Sequence, residues 1–234
     1  MKRDRYSPST TRDVARRNKR GRKAYVMRSV KNGLEMRLES TDELMFAKML
    51  DLDPRGAELR AQETTFDLHS GEIYQALPDK KDGRSRYYTP DLTNVVDRIT
   101  CVYEVKPEKH CAANAELFGE VAAFCRKKGM RFLVLSKEHY GKVLMSNLDL
   151  LHQYARQCES QIIGWAEVVD QLVDKHGHVQ DVLEALAPRN YYLIASILRG
   201  VLQTDIHTQR LSSMDFDVSP AYGDMSTLEV IRYA

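Results

Sequence analysis

At 234 residues and 43% apolar content, the chain has room for one large domain or two small ones, each with a real core. No apolar run approaches the roughly 18 residues that span a bilayer, and no apolar segment follows the Lys/Arg-rich start. The expectation is therefore a cytoplasmic protein with neither membrane span nor secretion signal. The net charge of +2 conceals an asymmetry, because residues 1–31 hold twelve Lys/Arg against Asp4 and Asp13, a local +10 that leaves −8 for the remaining 203 residues.

The first 23 residues form a basic arm with almost no apolar content, and such a segment is expected to be disordered when free. Its Arg16, Arg17, Lys19, Arg20, Arg22 and Lys23 suit the neutralisation of DNA phosphates; the plainer reading is a solubilising tail. After the arm, Ala24–Arg28 and Leu34–Leu38 flank Lys31-Asn32-Gly33, and Asn-Gly between two β-prone runs predicts a hairpin. In LESTDELMFAKMLDLDP, Ser40 or Thr41 can cap a helix with Asp42 and Glu43 in its first turn. Leu44, Phe46, Ala47, Met49 and Leu50 form its apolar face, and it ends before Pro54. Glu58–Leu68 reads as one strand, followed by the charged loop DKKDGRSR.

The segment from Tyr87 to Lys106 is the centre of the chain. Two runs rich in Val, Ile, Thr and Tyr, Tyr88–Val96 and Ile99–Val105, flank Asp97-Arg98 and predict a hairpin. With the turn on those two residues, opposite partners sum to 195, so Asp91 faces Glu104, and Lys106, two residues on, shares their face. Two carboxylates about 5 Å apart repel unless a positive group lies between them. A divalent cation fits, because hard ions take carboxylate oxygens, while the lysine can stabilise charge or orient water. Glu43, at a helix start, is explained by capping alone or as a third carboxylate brought to the same site.

Pro107 stops the second strand. Ala112–Lys128 then reads as a helix with Leu117, Phe118, Val121, Ala122 and Cys125 on one face, and RFLVLS as a short buried strand. Helix, strand, strand, strand, helix, strand is the order of a restriction-endonuclease-like core: an α/β fold whose mixed sheet is flanked by helices. From Leu144 the chain reads as helices over 147–157, 161–175, 179–187 and 191–203. IHTQRL and MDFDV are candidate small strands, and Met225-Ser-Thr-Leu could open a last short helix. The second half is thus a winged-helix module or a helical cap. The boundaries read as an arm over 1–23, a nuclease domain over 24–140 and a C-terminal domain over 141–234. Cys101, Cys111, Cys125 and Cys158 lack metal-site spacing and read as reduced thiols, and His176-Gly-His178 reads as a turn.

Pro90-Asp91, twelve residues, then Glu104-Val105-Lys106 resembles the PD-(D/E)xK nuclease motif. Together with residues 39–54 (ESTDELMFAKMLDLDP), YTPD at 88–91, YEVKP at 103–107 and TDIHTQRLSSMDFDV at 204–218, the chain resembles TnsA, the endonuclease of heteromeric bacterial transposases and of CRISPR-associated elements derived from them. That resemblance implies catalytic roles for Glu43, Asp91, Glu104 and Lys106. It also implies Mg²⁺ or Mn²⁺ on Glu43, Asp91, Glu104 and the backbone carbonyl of Val105. The implied activity is hydrolysis of the non-transferred strand at the 5′ ends of a transposon. The implied partners are double-stranded transposon-end DNA, a DDE transposase of the TnsB type and an AAA+ regulator of the TnsC type. A restriction-type or structure-selective nuclease acting alone, and a non-catalytic DNA-binding assembly protein, are the alternatives.

Overall fold

The computed structural model describes residues 24–75 and 85–233. The six arm residues named above and most of the DKKDGRSR loop lie outside them. The described chain divides into two compact units, 24–51 with 55–75, 85–139 and Tyr233, and 52–54 with 140–232. It is an α/β protein with a mixed sheet and helices. Among the described residues no helix is long and apolar enough to cross a membrane, and all four cysteines are free thiols.

In the first unit, β1 (Tyr25–Arg28) and β2 (Glu35–Leu38) form the expected hairpin. Its turn is longer than the Asn-Gly pair suggested: Ser29 and Leu34 are still paired, and Gly33 closes the loop at φ +69°. The loop has a second task. Ser29 Oγ and the Val30 N–H donate to the buried Asp51 carboxylate at 2.5 and 2.7 Å, and Lys31 Nζ donates to the carbonyls of Leu50 and Gly56. These bonds satisfy carbonyls at and just beyond the end of α1 (Thr41–Leu52), where a cation is favoured. Phe46, Ala47, Met49 and Leu50 of α1 are fully buried, as the apolar pattern required, with Leu44 at the margin.

The central sheet has the order β3-β7-β8-β9, from β3 (Gly56–Ala61), β7 (Leu92–Val96), β8 (Ile99–Val105) and β9 (Arg131–Leu135). The first three strands are antiparallel, and β9 runs parallel to β8 after a crossover through α2 (Ala115–Lys127). This is the element order expected from sequence. Phe124 rather than Ala122 completes the buried face of α2, and Gly129 at φ +69° ends the helix.

Two strand expectations are corrected. Glu58–Leu68 is not one strand: Gln62 takes φ +50°, the chain turns, and β4 (Thr65–Asp67) joins a separate sheet of order β5-β4-β6 with β5 (Ile73–Tyr74) and β6 (Tyr87–Tyr88). Likewise Tyr88–Val96 breaks at Thr89-Pro90-Asp91, since a proline has no N–H for the ladder. Tyr88 thus pairs with Phe66 of β4, while Leu92 begins β7. Phe66, Tyr88, Val102, Val121, Phe124 and Cys125 form one buried cluster uniting the small sheet, β8 and α2.

In the second unit, α3 (Lys142–Gln157) and α4 (Glu159–Asp170) pack with α6 (Arg189–Leu198). The expected helix over 179–187 shrinks to α5 (Val179–Val182), and the helix over 191–203 ends at Leu198. Gly200 is forced there, with φ +65° and a would-be Cβ 2.9 Å from the Gly223 backbone. IHTQRL is a turn rather than a strand. Asn147, buried on α3, holds it by donating to the carbonyls of Ile206 and Gln209 and accepting from the Leu211 N–H. MDFDV does enter a strand, β12 (Asp217–Pro220), which lies between β10 (Gly177–His178) and β11 (Leu202–Gln203). Along the chain the order is α4, β10, α5, α6, β11, β12, with β12 in the middle of the three strands. Ser226–Leu228 forms a single 3₁₀ turn near the end.

Candidate active site

The site begins at a turn. Asp97 and Arg98 take φ +52° and +65°, the two left-handed residues of a type I′ hairpin. Such a turn fixes register, and the observed pairs run from Val96↔Ile99 to Leu92↔Tyr103, each summing to 195. The ladder ends there, one residue short of Asp91 and Glu104. The Asp91 N–H donates to the Tyr103 carbonyl at 3.1 Å, and its own carbonyl accepts from the Gln62 N–H. Its carboxylate accepts the Val105 N–H on Oδ2 at 2.8 Å. The backbone and side chain of Asp91 are therefore both fixed by neighbouring strands.

Glu104 is buried at the end of β8, and its two oxygens have separate partners. Lys106 Nζ donates to Oε1 at 2.9 Å, and the Tyr88 hydroxyl donates to Oε2 at 2.6 Å. Lys106 is held in turn through its main chain, with its N–H donating to the Leu135 carbonyl and its carbonyl accepting from Ser136 Oγ. Glu43 reaches the same place from α1. Ser40 Oγ accepts the Glu43 N–H at 3.1 Å, which makes Ser40 the helix cap. The Glu43 carboxylate accepts from the Glu39 N–H at 2.8 Å and from the Ser40 hydroxyl at 3.0 Å. The capping reading of Glu43 accounts for these bonds, and the residue also lines the same cavity as Asp91 and Glu104.

Glu43, Asp91, Glu104, Val105 and Lys106 all line one cavity of about 540 Å³, together with Tyr88. Burial, then the Glu104 and Glu43 charges, push the Asp91 carboxyl well above the usual range, against the Val105 N–H and Lys106. Burial also raises Glu43, opposed by its two hydrogen bonds and aided by Glu39 and Glu104. Burial alone would lower Lys106, but Glu104, with Asp91 and Glu43, holds its ammonium above the ordinary lysine range. Burial and the Glu104 charge likewise keep the Tyr88 phenol protonated, as a hydrogen-bond donor.

No protein-family profile matches the chain, and no curated protein matches it. Among the described residues no group of three or more His, Cys, Asp or Glu is gathered closely enough to hold a metal ion. The donor chemistry nonetheless suits a hard cation: three carboxylate side chains and a backbone carbonyl line one cavity, and the Glu104 charge raises both Asp91 and Glu43.

Tyr88 was not singled out in the sequence. It belongs to another sheet, and the only signal was its nearness to Asp91 in YTPD. In the second unit, Leu193–Leu198 of α6 are all buried, so the helix that would read a DNA groove in a winged helix does not present that stretch. A second cavity of about 660 Å³ in that unit lies between Tyr154, Leu193 and Met214.

Proposed function

We propose that the chain is a metal-dependent DNA endonuclease of a heteromeric transposase, hydrolysing the non-transferred strand at the 5′ ends of a transposon. One observation carries the reading: Asp91 and Glu104 lie just past the last pair of the hairpin, Lys106 is bound to Glu104, and Glu43, Asp91, Glu104 and Lys106 line one cavity. This supports the motif resemblance on geometry rather than on letters.

Asp91, Glu104 and the Val105 carbonyl would hold Mg²⁺ or Mn²⁺, with Glu43 as a further carboxylate. When bound, the ion supplies Lewis acidity that polarises the scissile phosphate and acidifies water. Lys106 does the rest as a cation. Its raised pKa unsuits it to be a base, so it orients the attacking water as a donor and offsets charge building on phosphorus. Arg16, Arg17, Lys19, Arg20, Arg22 and Lys23 would neutralise DNA phosphates.

The Glu43 carboxylate is engaged at its own helix start, and a change in that engagement is where partners would act on the site. A DDE transposase of the TnsB type and an AAA+ regulator of the TnsC type are the proposed partners. The expected outcome is that the purified chain with Mg²⁺ leaves generic duplex DNA uncut. Nicking at the 5′ ends appears only when both partners and transposon-end DNA are supplied. Cutting of plain DNA by the isolated chain at about one per second would instead establish a nuclease that acts alone.

A further inference from the structure

The small sheet β5-β4-β6 has no part in the motif, yet it delivers one polar atom to it. The Tyr88 ring packs at 6.3 Å from Phe66 and edge-on at 6.4 Å from Phe132, within the buried cluster that also holds Val102 and Phe124. The residue is only 7% exposed. Its hydroxyl ends on Glu104 Oε2 at 2.6 Å. The strand that carries it is fastened on both sides of the tyrosine. Thr65 and Thr89 hydroxyls, both buried, bond at 2.8 Å, and the buried Asp67 carboxylate accepts from the Arg86 N–H, the His69 N–H and the Ser70 hydroxyl. Burial raises the Asp67 pKa, but these donors outweigh it and hold the carboxyl below its usual range.

A carboxylate on a strand end has several rotamers, and ordering a side chain takes free energy that a preformed site need not supply at binding. Glu104 is restrained from two directions, by Lys106 on one oxygen and by Tyr88 on the other. Lys106 is half-exposed and flexible along its stem, whereas Tyr88 is rigid and fixed in an aromatic core. The rigid partner sets the orientation.

We propose that Tyr88 is a positioning residue for Glu104: its hydroxyl presets the carboxylate for a divalent cation, and the small sheet exists to hold that hydroxyl in place. The inference rests on the metal-site reading above and deepens it. Partners that orient metal-ligating carboxylates typically change affinity by about 10- to 100-fold.

The test is calorimetric titration of the purified chain with Mn²⁺, in the wild type, Tyr88→Phe, Glu104→Ala and Tyr74→Phe. Tyr88→Phe keeps the packed ring and removes only the hydroxyl. Tyr74→Phe, in the same sheet, removes a hydroxyl that donates to Glu72, away from the cavity. Mn²⁺ affinity is expected to be lost in Glu104→Ala, to fall about tenfold or more in Tyr88→Phe, and to stay unchanged in Tyr74→Phe. In the complete reaction kcat falls in Tyr88→Phe while the KM for DNA holds. Wild-type affinity in Tyr88→Phe, with binding still lost in Glu104→Ala, overturns the inference about Tyr88 alone. Equal Mn²⁺ binding by the wild type and Glu104→Ala overturns the metal-site reading itself.

Discussion

Alanine at Asp91 or at Lys106 is expected to abolish 5′-strand cleavage and to leave the protein folded. On the proposed reading these side chains carry the chemistry, and the one structural bond that alanine removes at Asp91 is that from the Val105 N–H. The Asp91 main chain keeps its bonds to Tyr103 and Gln62 whatever side chain it carries. The Lys106 side chain is 34% exposed and ends on Glu104 Oε1. Loss of a cation that stabilises developing charge is worth about 10²- to 10³-fold in kcat, and loss of Asp91 removes an anchor of the metal, which takes cleavage below detection. Strand-resolved gels of the complete reaction, read beside circular-dichroism melting curves of each variant, check both halves of the statement. Variants that unfold would show that these charges hold the structure together instead.

The second large effect concerns stability. Asp91→Asn should make the metal-free protein more stable at neutral pH than the wild type. Asn keeps the acceptor for the Val105 N–H but removes a charge that burial, Glu104 and Glu43 all disfavour. The Asp91 carboxyl is raised in the folded state, so between its unfolded and folded pKa the native chain holds the extra proton. Stability there falls as pH rises, and the penalty is complete above the folded value. The melting-temperature advantage of Asp91→Asn should therefore be greatest at neutral pH and shrink as pH is lowered toward the ordinary carboxylate range. Added Mg²⁺ should raise the wild type and leave Asp91→Asn unmoved. An Asp91→Asn protein that melts below the wild type at neutral pH would mean that the charge is structurally favourable.

The centre of this protein was legible from sequence because two local rules fixed it. A two-residue turn sets the register of a hairpin, and side chains two apart share a face; the pairs from Val96↔Ile99 to Leu92↔Tyr103 follow from those rules, and Asp91 and Glu104 lie one residue beyond the last of them. The start of α1 was legible for a similar reason, since Ser-Thr-Asp-Glu before an apolar run supplies its own cap. The small sheet was hidden. Its separation from β3 depends on Gln62 at φ +50°, a conformation that glutamine rarely signals, and β6 shares a β-rich run with β7 across Pro90. The sequence pattern therefore makes Tyr88 the first residue of the central hairpin, whereas it arrives from another sheet. The clasp of Ser29 and Lys31 on the end of α1 was hidden for the same reason, because contacts distant in sequence leave no periodicity. The shortening of α6 at Leu198 follows from Gly200, whose neighbours in space lie more than twenty residues further along the chain.

The most direct test of a hydrolytic centre at this hairpin is strand-resolved sequencing of transposon-end products from the complete mixture, comparing the wild type with Glu104→Ala. The account predicts that Glu104→Ala loses 5′-strand cuts while 3′ ends are still joined, so that insertions appear as cointegrates. Cutting of the 5′ strand at the wild-type rate by Glu104→Ala would contradict it.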